Sequence, residues 1–423
     1  MKKWKARWDY MDTNKIRKDF PILSRTMSDK PLIYLDNGAT TLKPQPVIDA
    51  VVGYYTYLGA NAHRGDYEMS AQVDAAYEGC RKKVAAYLNA SSAKEIIFNS
   101  GSSEGLNQVA LMVTQQLLNP GDVILSDESE HASSILPWMH AAKQKGCKIE
   151  YIPLDSEGKI TVENFKKAIH DDVKVVCLAQ VSNVLGFEAP VKEIAKIAHQ
   201  KDMLVVVDGA QSTPHINIDV QDLDVDFFVF SAHKMCGPTG VGVLYGKKAL
   251  LDRLDPVYYG GESNARFNSC GNLILKETPF KYESGTQPIE GVLGLGAAID
   301  YIQAIGKDAI HAYELELKSY FIQKVKDLKN IHLYNEKAES GICTFNVFDK
   351  GQMIPAQDVA SFLNTKGIAV RSGTHCAKML VDVLHVSGTC RASFYFYNTK
   401  EEIDQLVAAL QEATLENCIN IFF

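Results

Sequence analysis

The sequence predicts an α/β protein carrying a second, smaller α+β unit toward its C-terminal end. Three observations lead there. From about residue 30 to 250, short apolar runs alternate with longer amphipathic stretches. Those runs are nearly continuous in apolar residues, as expected of strands buried on both faces of a mostly parallel sheet flanked by helices. From about Pro288 the pattern gives way to two long helical stretches, then short strand-like pieces, then a last helix.

In chain order, the first unit offers strands at Glu95–Phe98, Val123–Leu125, Lys174–Leu178, Leu204–Val207 and Phe227–Phe230. Between them, Leu106, Val109, Ala110, Val113 and Leu117 fall on one face of a helix that starts after Ser102-Ser103, and a second helix runs from about Val191 to Lys201. The second unit offers helices at Gly291–Ile305 and Ala309–Leu328. Strand-like pieces follow at Gly341–Val347, Ile368–Val370 and Arg391–Phe396, and a final helix spans Lys400–Thr414. The expected division is therefore a polar N-terminal segment 1–30 packed on one of the two units, a large unit 31–290 and a small unit 291–423.

Composition removes several function classes. The 44 basic and 51 acidic residues give a net charge of −7, so the basic excess of a nucleic-acid binder is missing. No window reaches the roughly 18 consecutive apolar residues of a membrane helix. The N-terminal MKKWKARWDYMD has lysines without an apolar region behind them, unlike a secretory signal. A cytoplasmic globular protein without nucleic-acid or membrane partners is expected. The nine cysteines are odd in number and contain no C-x-x-C pair, so neither a disulfide framework nor a metal site is expected; most read as small buried apolar residues.

Ligands of α/β sheets sit beyond the carboxyl ends of the strands, and polar residues recur there. Gly101-Ser102-Ser103 opens a helix after the first run, either an anion site or an ordinary capped helix start. Asp208 follows three valines at the edge of a core, where a carboxylate needs a cationic partner or caps the next turn. Lys234 leaves a phenylalanine-rich strand, either with the lowered pKa that suits Schiff-base chemistry or as a surface lysine. His131 and Asn183 close two further runs, and a lone loop histidine is more often structural than catalytic. Together, a phosphate cradle, a ring-sized histidine, an amide, an aspartate and a lysine at one rim fit pyridoxal phosphate.

With these residues in place the sequence resembles the class V aminotransferase superfamily of fold-type I enzymes, and within it the group II (SufS/Csd-type) cysteine desulfurases. The resemblance rests on Asp208-Gly-Ala-Gln211 followed by Ser231-Ala-His-Lys234, on Arg371-Ser-Gly-Thr-His-Cys376 and on Cys390-Arg-Ala-Ser393. It extends through Tyr34–Thr41, His63-Arg64, Ser102-Ser103-Glu104, Glu130-His131, Val181-Ser-Asn183 and Tyr282–Thr286, spanning about residues 16 to 415 in the family's order. It implies that Lys234 holds pyridoxal 5'-phosphate covalently and later moves the Cα proton. Asp208 would pair with the pyridinium nitrogen, His131 would stack on the ring as an acid–base group, and Gln211 would touch the ring oxygen. Ser102, Ser103, Ser231 and His233 would bind phosphate, with Thr286 reaching in from a second subunit of a homodimer. Asn183 and Arg391 would grip the substrate carboxylate, and Arg371 would line the same pocket.

Cys376 would receive the sulfur of L-cysteine as a persulfide, releasing L-alanine, and pass it to an acceptor of SufU or SufE type for iron–sulfur cluster assembly. Neighbouring His375 and Arg371 are expected to lower its pKa, and the other eight cysteines to be buried and inert. Alternatives within the fold are a selenocysteine lyase and a class V aminotransferase or epimerase in which Cys376 is incidental; outside it stands an idle scaffold for an acceptor protein. Thr374 replaces the family's usual histidine, Lys378-Met379 its usual Gln-Pro or Met-Pro, Ser134 its asparagine, and Ser102-Ser103 its threonine pair. These departures bear on loop conformation, acceptor choice and sulfur-versus-selenium preference.

Overall fold

The computed structural model describes residues 12–63 and 65–421. Residues 1–11 and Arg64 of the His63-Arg64 stretch lie outside them. The large unit is built on a sheet of seven strands: β1 (Ile96–Asn99), β2 (Val123–Asp127), β3 (Lys148–Ile152), β4 (Val173–Ala179), β5 (Leu204–Asp208), β6 (Phe227–Ser231) and β7 (Gly242–Gly246). Their spatial order is β1-β7-β6-β5-β4-β2-β3, all parallel except β7, which runs antiparallel to both neighbours. The expected runs of β1, β2, β4, β5 and β6 are all strands. The sequence reading omitted β3, where only Ile152 is fully buried, and β7, which hides in a glycine-rich stretch.

Two cores sandwich the sheet. Along β5, Val205 and Val207 enter one core while Val206 enters the other; along β6, Phe228 and Phe230 face the first and Phe227 and Val229 the second. This two-sided burial is why the strands read as continuous apolar runs. Helices α1 (Gln45–Gly53) and α2 (Glu68–Tyr87) lie N-terminal to the sheet, and α3 (Ser102–Leu117), α4 (Ala132–Lys145) and α5 (Val191–His199) cover it. The expected face of α3 holds: Leu106, Val109, Ala110 and Val113 are buried and Leu117 packs against them. A glycine is required directly after β5, because a Cβ at Gly209 would lie 2.0 Å from the Phe228 ring.

The expected boundary at 290/291 falls inside α6 (Ile289–Ile305), and the packing there differs from the reading. Ile289, Val292, Leu295 and Ile302 of α6 join the core of the large sheet, so this helix packs as part of the large unit against α1 and α2. Its apolar pattern is the same whichever unit it covers. The small unit begins with α7 (Lys307–Val325). It contains an antiparallel sheet, β8 (Ile331–Leu333), β9 (Ile342–Asp349), β10 (Arg371–Gly373) and β11 (Thr389–Ser393), in the order β8-β9-β11-β10, with α8 (Ala356–Thr365) and α9 (Lys400–Glu412) packed on it. A capping box of Thr399 and Glu402 starts α9. Residues 12–30 touch both units: Phe20 enters the large core beside Tyr301 and Tyr397, while the Ser28 hydroxyl accepts a bond from Asn364 of α8.

All nine cysteines are free. Six are buried, but Cys147 is half-buried and Cys270 is exposed, so the expectation of eight buried cysteines beside Cys376 is corrected. Cys270 sits in the hairpin Asn264–Leu275, which projects from the body and buries few of its side chains.

Candidate active site

A cavity of about 180 Å³ lies at the carboxyl edge of the large sheet, closed on its far side by the small unit. Five strand ends of the large unit supply its floor and β10, β11 and the loop between them its roof. Of the sequence-predicted residues, Ser102, Ser103, His131, Asn183, Asp208, Ser231, His233, Lys234, Arg371, Cys376 and Arg391 all line it.

The floor has a hydroxyl-rich end at the start of α3, where unpaired helix N–H groups favour an anion. Gly101 has φ 148°, and the Ser102 N–H donates to Ser231 Oγ at 2.8 Å. The Ser102 and Ser231 hydroxyls lie 2.8 Å apart, and Ser103 Oγ donates to Ser133 Oγ at 2.6 Å. His233 stands beside them, held neutral by burial and by the positive charges of Lys234 and Lys43, which lower its pKa to about 4. It therefore meets an anion as an N–H donor rather than as a cation.

At the centre, Asp208 is only 6% exposed and accepts one bond, from the Ala210 N–H at 2.9 Å. Burial raises its pKa, and Lys234 and the Ala210 N–H oppose the rise. Burial brings Lys234 down to about 8 against the pull of Asp208. A lysine in that state is a nucleophile near neutral pH. His131 caps α4: its Nδ1 accepts from the Ser133 N–H at 3.1 Å, which leaves Nε2 as the protonated nitrogen. Burial and nearby Lys234, Arg391 and Arg371 lower it to about 4.

The roof carries cationic and sulfur groups. Arg391 on β11 is 2% exposed; Nη1 donates to the Asn183 carbonyl at 2.7 Å and Nη2 to Asp36 at 3.2 Å, while Nε has no partner. Gly38 lies flat on the guanidinium, where a Cβ would come within 3.0 Å of Cζ. Cys376 is exposed in the loop after β10. Two bonds fix its backbone: the Ala132 N–H donates to the Cys376 carbonyl at 2.7 Å, and Asn183 Nδ2 to the His375 carbonyl at 2.9 Å. His375 and Cys376 both adopt left-handed backbone, φ 50° and 61°, an uncommon conformation for non-glycine residues that costs about 1 kcal/mol or more each.

Two expectations change. His375 lines the cavity beside Cys376 but brings it no positive charge: its Nε2 faces the Thr389 carbonyl and hydroxyl at 3.1 and 2.9 Å, and burial, with Arg391 and Arg371 nearby, lowers its pKa to about 3. Gln211 lies behind the cavity wall and donates Nε2 to the Gly38 carbonyl at 2.7 Å. Thr286, expected to act toward a second subunit, is exposed and lines a separate cavity of about 370 Å³ with Ser284 and Gln287. Asp36, Gly38 and Ser133 belong to the site but were not singled out from sequence. The Tyr34–Thr41 stretch was visible as a motif, but nothing in it pairs an aspartate with an arginine 355 residues away.

Residues 33–406 match the aminotransferase class-V family. The chain belongs to the class-V aminotransferase family. Among curated members, a probable cysteine desulfurase of Halalkalibacterium halodurans is 45% identical over 402 residues, covering 95% of this chain and 98% of that one. The solved cysteine desulfurase CsdA of Escherichia coli superposes with a TM-score of 0.88 at 33% identity, covering 96% of this chain and 98% of its own. The cysteine desulfurase of Thermococcus onnurineus gives 0.88 at 37% identity, covering 94% and 97%.

The donor set of this class-V member fits pyridoxal phosphate. A buried carboxylate that accepts a single bond (Asp208), a buried amine with a pKa of about 8 (Lys234) and a hydroxyl-lined helix start all line one cavity, the three kinds of group that a ring nitrogen, an aldehyde carbon and a phosphate require. Among the described residues no group of three or more His, Cys, Asp or Glu side chains is arranged to hold a metal ion.

Proposed function

We propose that the chain is a pyridoxal 5'-phosphate-dependent cysteine desulfurase, converting L-cysteine to L-alanine and leaving the sulfur as a persulfide on Cys376. One observation carries the assignment of the sulfur acceptor: Cys376 is solvent-exposed, yet its backbone is bonded to Ala132, the residue after His131, on the wall opposite Lys234.

When bound, the cofactor supplies an electron sink conjugated to the substrate Cα. The chain supplies the rest. Ser102, Ser103, Ser231 and His233 would hold the phosphate, and Asp208 would hold the protonated ring nitrogen. Arg391 grips the substrate carboxylate through its free N–H groups, with Arg371 adding positive charge. Lys234 Nζ, neutral above about pH 8 when free, takes the Cα proton. His131, neutral with its proton on Nε2, would face the cofactor ring as a donor. The Cys376 thiolate attacks the substrate sulfur; the new S–S bond forms as the substrate C–S bond breaks, and its electron pair stays with carbon.

The same reading extends to group II membership, a SufU- or SufE-like acceptor, supply of sulfur to iron–sulfur clusters and a cytoplasmic location. Among the described residues no single helix is long and apolar enough to cross a membrane. It extends also to a homodimer. Exposed Thr286, in a polar cavity of its own, supports a role toward a second subunit's phosphate.

The test is alanine and sulfide release from L-cysteine, with and without dithiothreitol, for wild type and Cys376→Ser. The variant keeps its cofactor colour and releases neither product. A variant as active as wild type refutes the persulfide.

A further inference from the structure

Behind His131, two carboxyl groups are buried without a counter-charge. Asp127 ends β2 and is 0% exposed; Glu130, three residues on, is 2% exposed. Asp127 Oδ1 accepts from the N–H and hydroxyl of Ser129, and Glu130 Oε1 accepts from the Ala179 N–H at the end of β4. The second oxygen of each, Oδ2 and Oε2, has no protein donor. The two carboxyls lie close enough to shift one another's titration, and the Ser134 hydroxyl lies beside Glu130. The groups facing them are acidic or neutral: Glu128 on the same loop, Cys177 on β4, Asp208 on β5, and Ser134 in the first turn of α4.

Two adjacent carboxylates in such a setting do not both ionise. Desolvation disfavours each charge, and their repulsion is unscreened. A single proton between them supplies the missing donor and leaves one charge on the pair. We propose that Asp127 and Glu130 share one proton near neutral pH, and that this acid–carboxylate pair positions His131 and Asp208 relative to each other. Burial pushes the pKa of both groups up, that of Glu130 well above the ordinary carboxyl range, in keeping with the geometry. The positioning follows from connectivity. Glu130 precedes His131 in the chain and holds the Ala179 N–H, and Ala179 is the register partner of Asp208. The pair thus stitches the loop of the ring-stacking histidine to the strand of the ring-nitrogen aspartate. Its bearing on catalysis rests on the function proposed above; the shared proton itself does not.

Infrared spectroscopy of the holoenzyme in D₂O decides the matter. At pH 7 wild type shows the carbonyl stretch of a protonated carboxyl that is lost in both Asp127→Asn and Glu130→Gln, since either amide supplies the donor and lets the remaining carboxyl ionise. A band lost in only one variant, or in neither, overturns the sharing. Should a variant fail to fold, carboxyl-labelled aspartate and glutamate in wild type replace it, and the band must respond to both labels. Equilibrium unfolding gives an independent reading. A raised carboxyl pKa stabilises the fold at low pH and is lost as pH rises, so between pH 5 and 7 the wild-type unfolding constant climbs about tenfold more per pH unit than that of Glu130→Gln. Equal slopes refute the proposal. Neither readout involves cysteine turnover, so either can fail while desulfuration stands.

Discussion

Replacing Arg391 by Gln tests the substrate end of the site. A guanidinium has five N–H groups. One is committed to the Asn183 carbonyl and one to Asp36, which leaves three, including the unpartnered Nε–H. A substrate carboxylate accepts two of these side by side. Bonds between charged groups are worth about 1.5–3 kcal/mol each, and at 2% exposure Arg391 is barely screened by solvent. The loss is therefore about 3–6 kcal/mol, or about 10²- to 10⁴-fold in kcat/KM at about 1.4 kcal/mol per decade. The assay is alanine formation from L-cysteine under dithiothreitol, with sulfide release from cysteamine, which lacks the carboxylate, as comparison. Wild type prefers L-cysteine strongly, and the preference collapses in Arg391→Gln. Because the substitution also leaves Asp36 without its cation, a thermal melt establishes that the variant is folded. If kcat/KM falls less than tenfold, or falls equally for both substrates, Arg391 does not bind the carboxylate.

Three further outcomes follow from the same geometry. Cofactor uptake by the apoenzyme needs a neutral Lys234, so its rate rises about tenfold per pH unit below about 8 and levels above it, while Lys234→Arg binds no cofactor covalently; absorbance stopped-flow reads both. Asn183→Ala releases the His375 carbonyl and loosens the Cys376 loop, so alkylation of Cys376 by iodoacetamide accelerates severalfold while kcat falls; unchanged alkylation refutes the anchor. His375, at about 3 in the folded chain, resists protonation that the unfolded chain accepts near 6.5, so its contribution is complete above 6.5 and lost as pH falls. Between pH 4.5 and 6.5, His375→Gln is accordingly less acid-sensitive than wild type by about 1.4 kcal/mol per pH unit in urea unfolding.

The floor of the site was legible because each of its residues follows directly on a strand that is apolar on both faces. Asp208 after three valines and Lys234 after Phe227–Phe230 are placed by chain continuity alone, and a strand end fixes where the next few side chains begin. The roof was legible only as a motif. Arg371 and Cys376 flank a loop whose path depends on two left-handed residues and on bonds to Ala132 and Asn183, hundreds of residues earlier. The same distance hid Asp36 and Gly38, which meet Arg391 because the parallel pairing of Ile33-Tyr34 with Ile368-Ala369 and the bridge from Asp36 to Ser393 bring the N-terminal segment onto the small unit. His375 was misjudged for a related reason. Adjacency to Cys376 suggested a thiolate partner, but two successive positive-φ residues turn its ring toward β11.

The distribution of groups between the two units explains how such chemistry is confined. Lys234, Asp208 and the hydroxyls proposed to bind phosphate belong to the large unit, and in the proposed reaction they would activate the amino acid Cα. What distinguishes sulfur removal from transamination or epimerisation is a nucleophile placed to meet the substrate Sγ, and that group comes from the small unit. Its placement is set by contacts that cross between the units: Arg391 to Asn183, Asn183 to His375, and Cys376 to Ala132. Each crossing bond uses a residue that lines the cavity or adjoins one that does. The carboxylate grip and the sulfur acceptor are therefore one mechanical assembly. In the proposed reaction a substrate held by Arg391 would meet Cys376 across Asn183, which is bonded to both segments, and a shift of the small unit would disturb both together. This coupling makes Asn183 the residue whose loss separates binding from sulfur transfer, since alanine there removes the anchor of the loop while Asp36 and the Asn183 backbone carbonyl still hold Arg391.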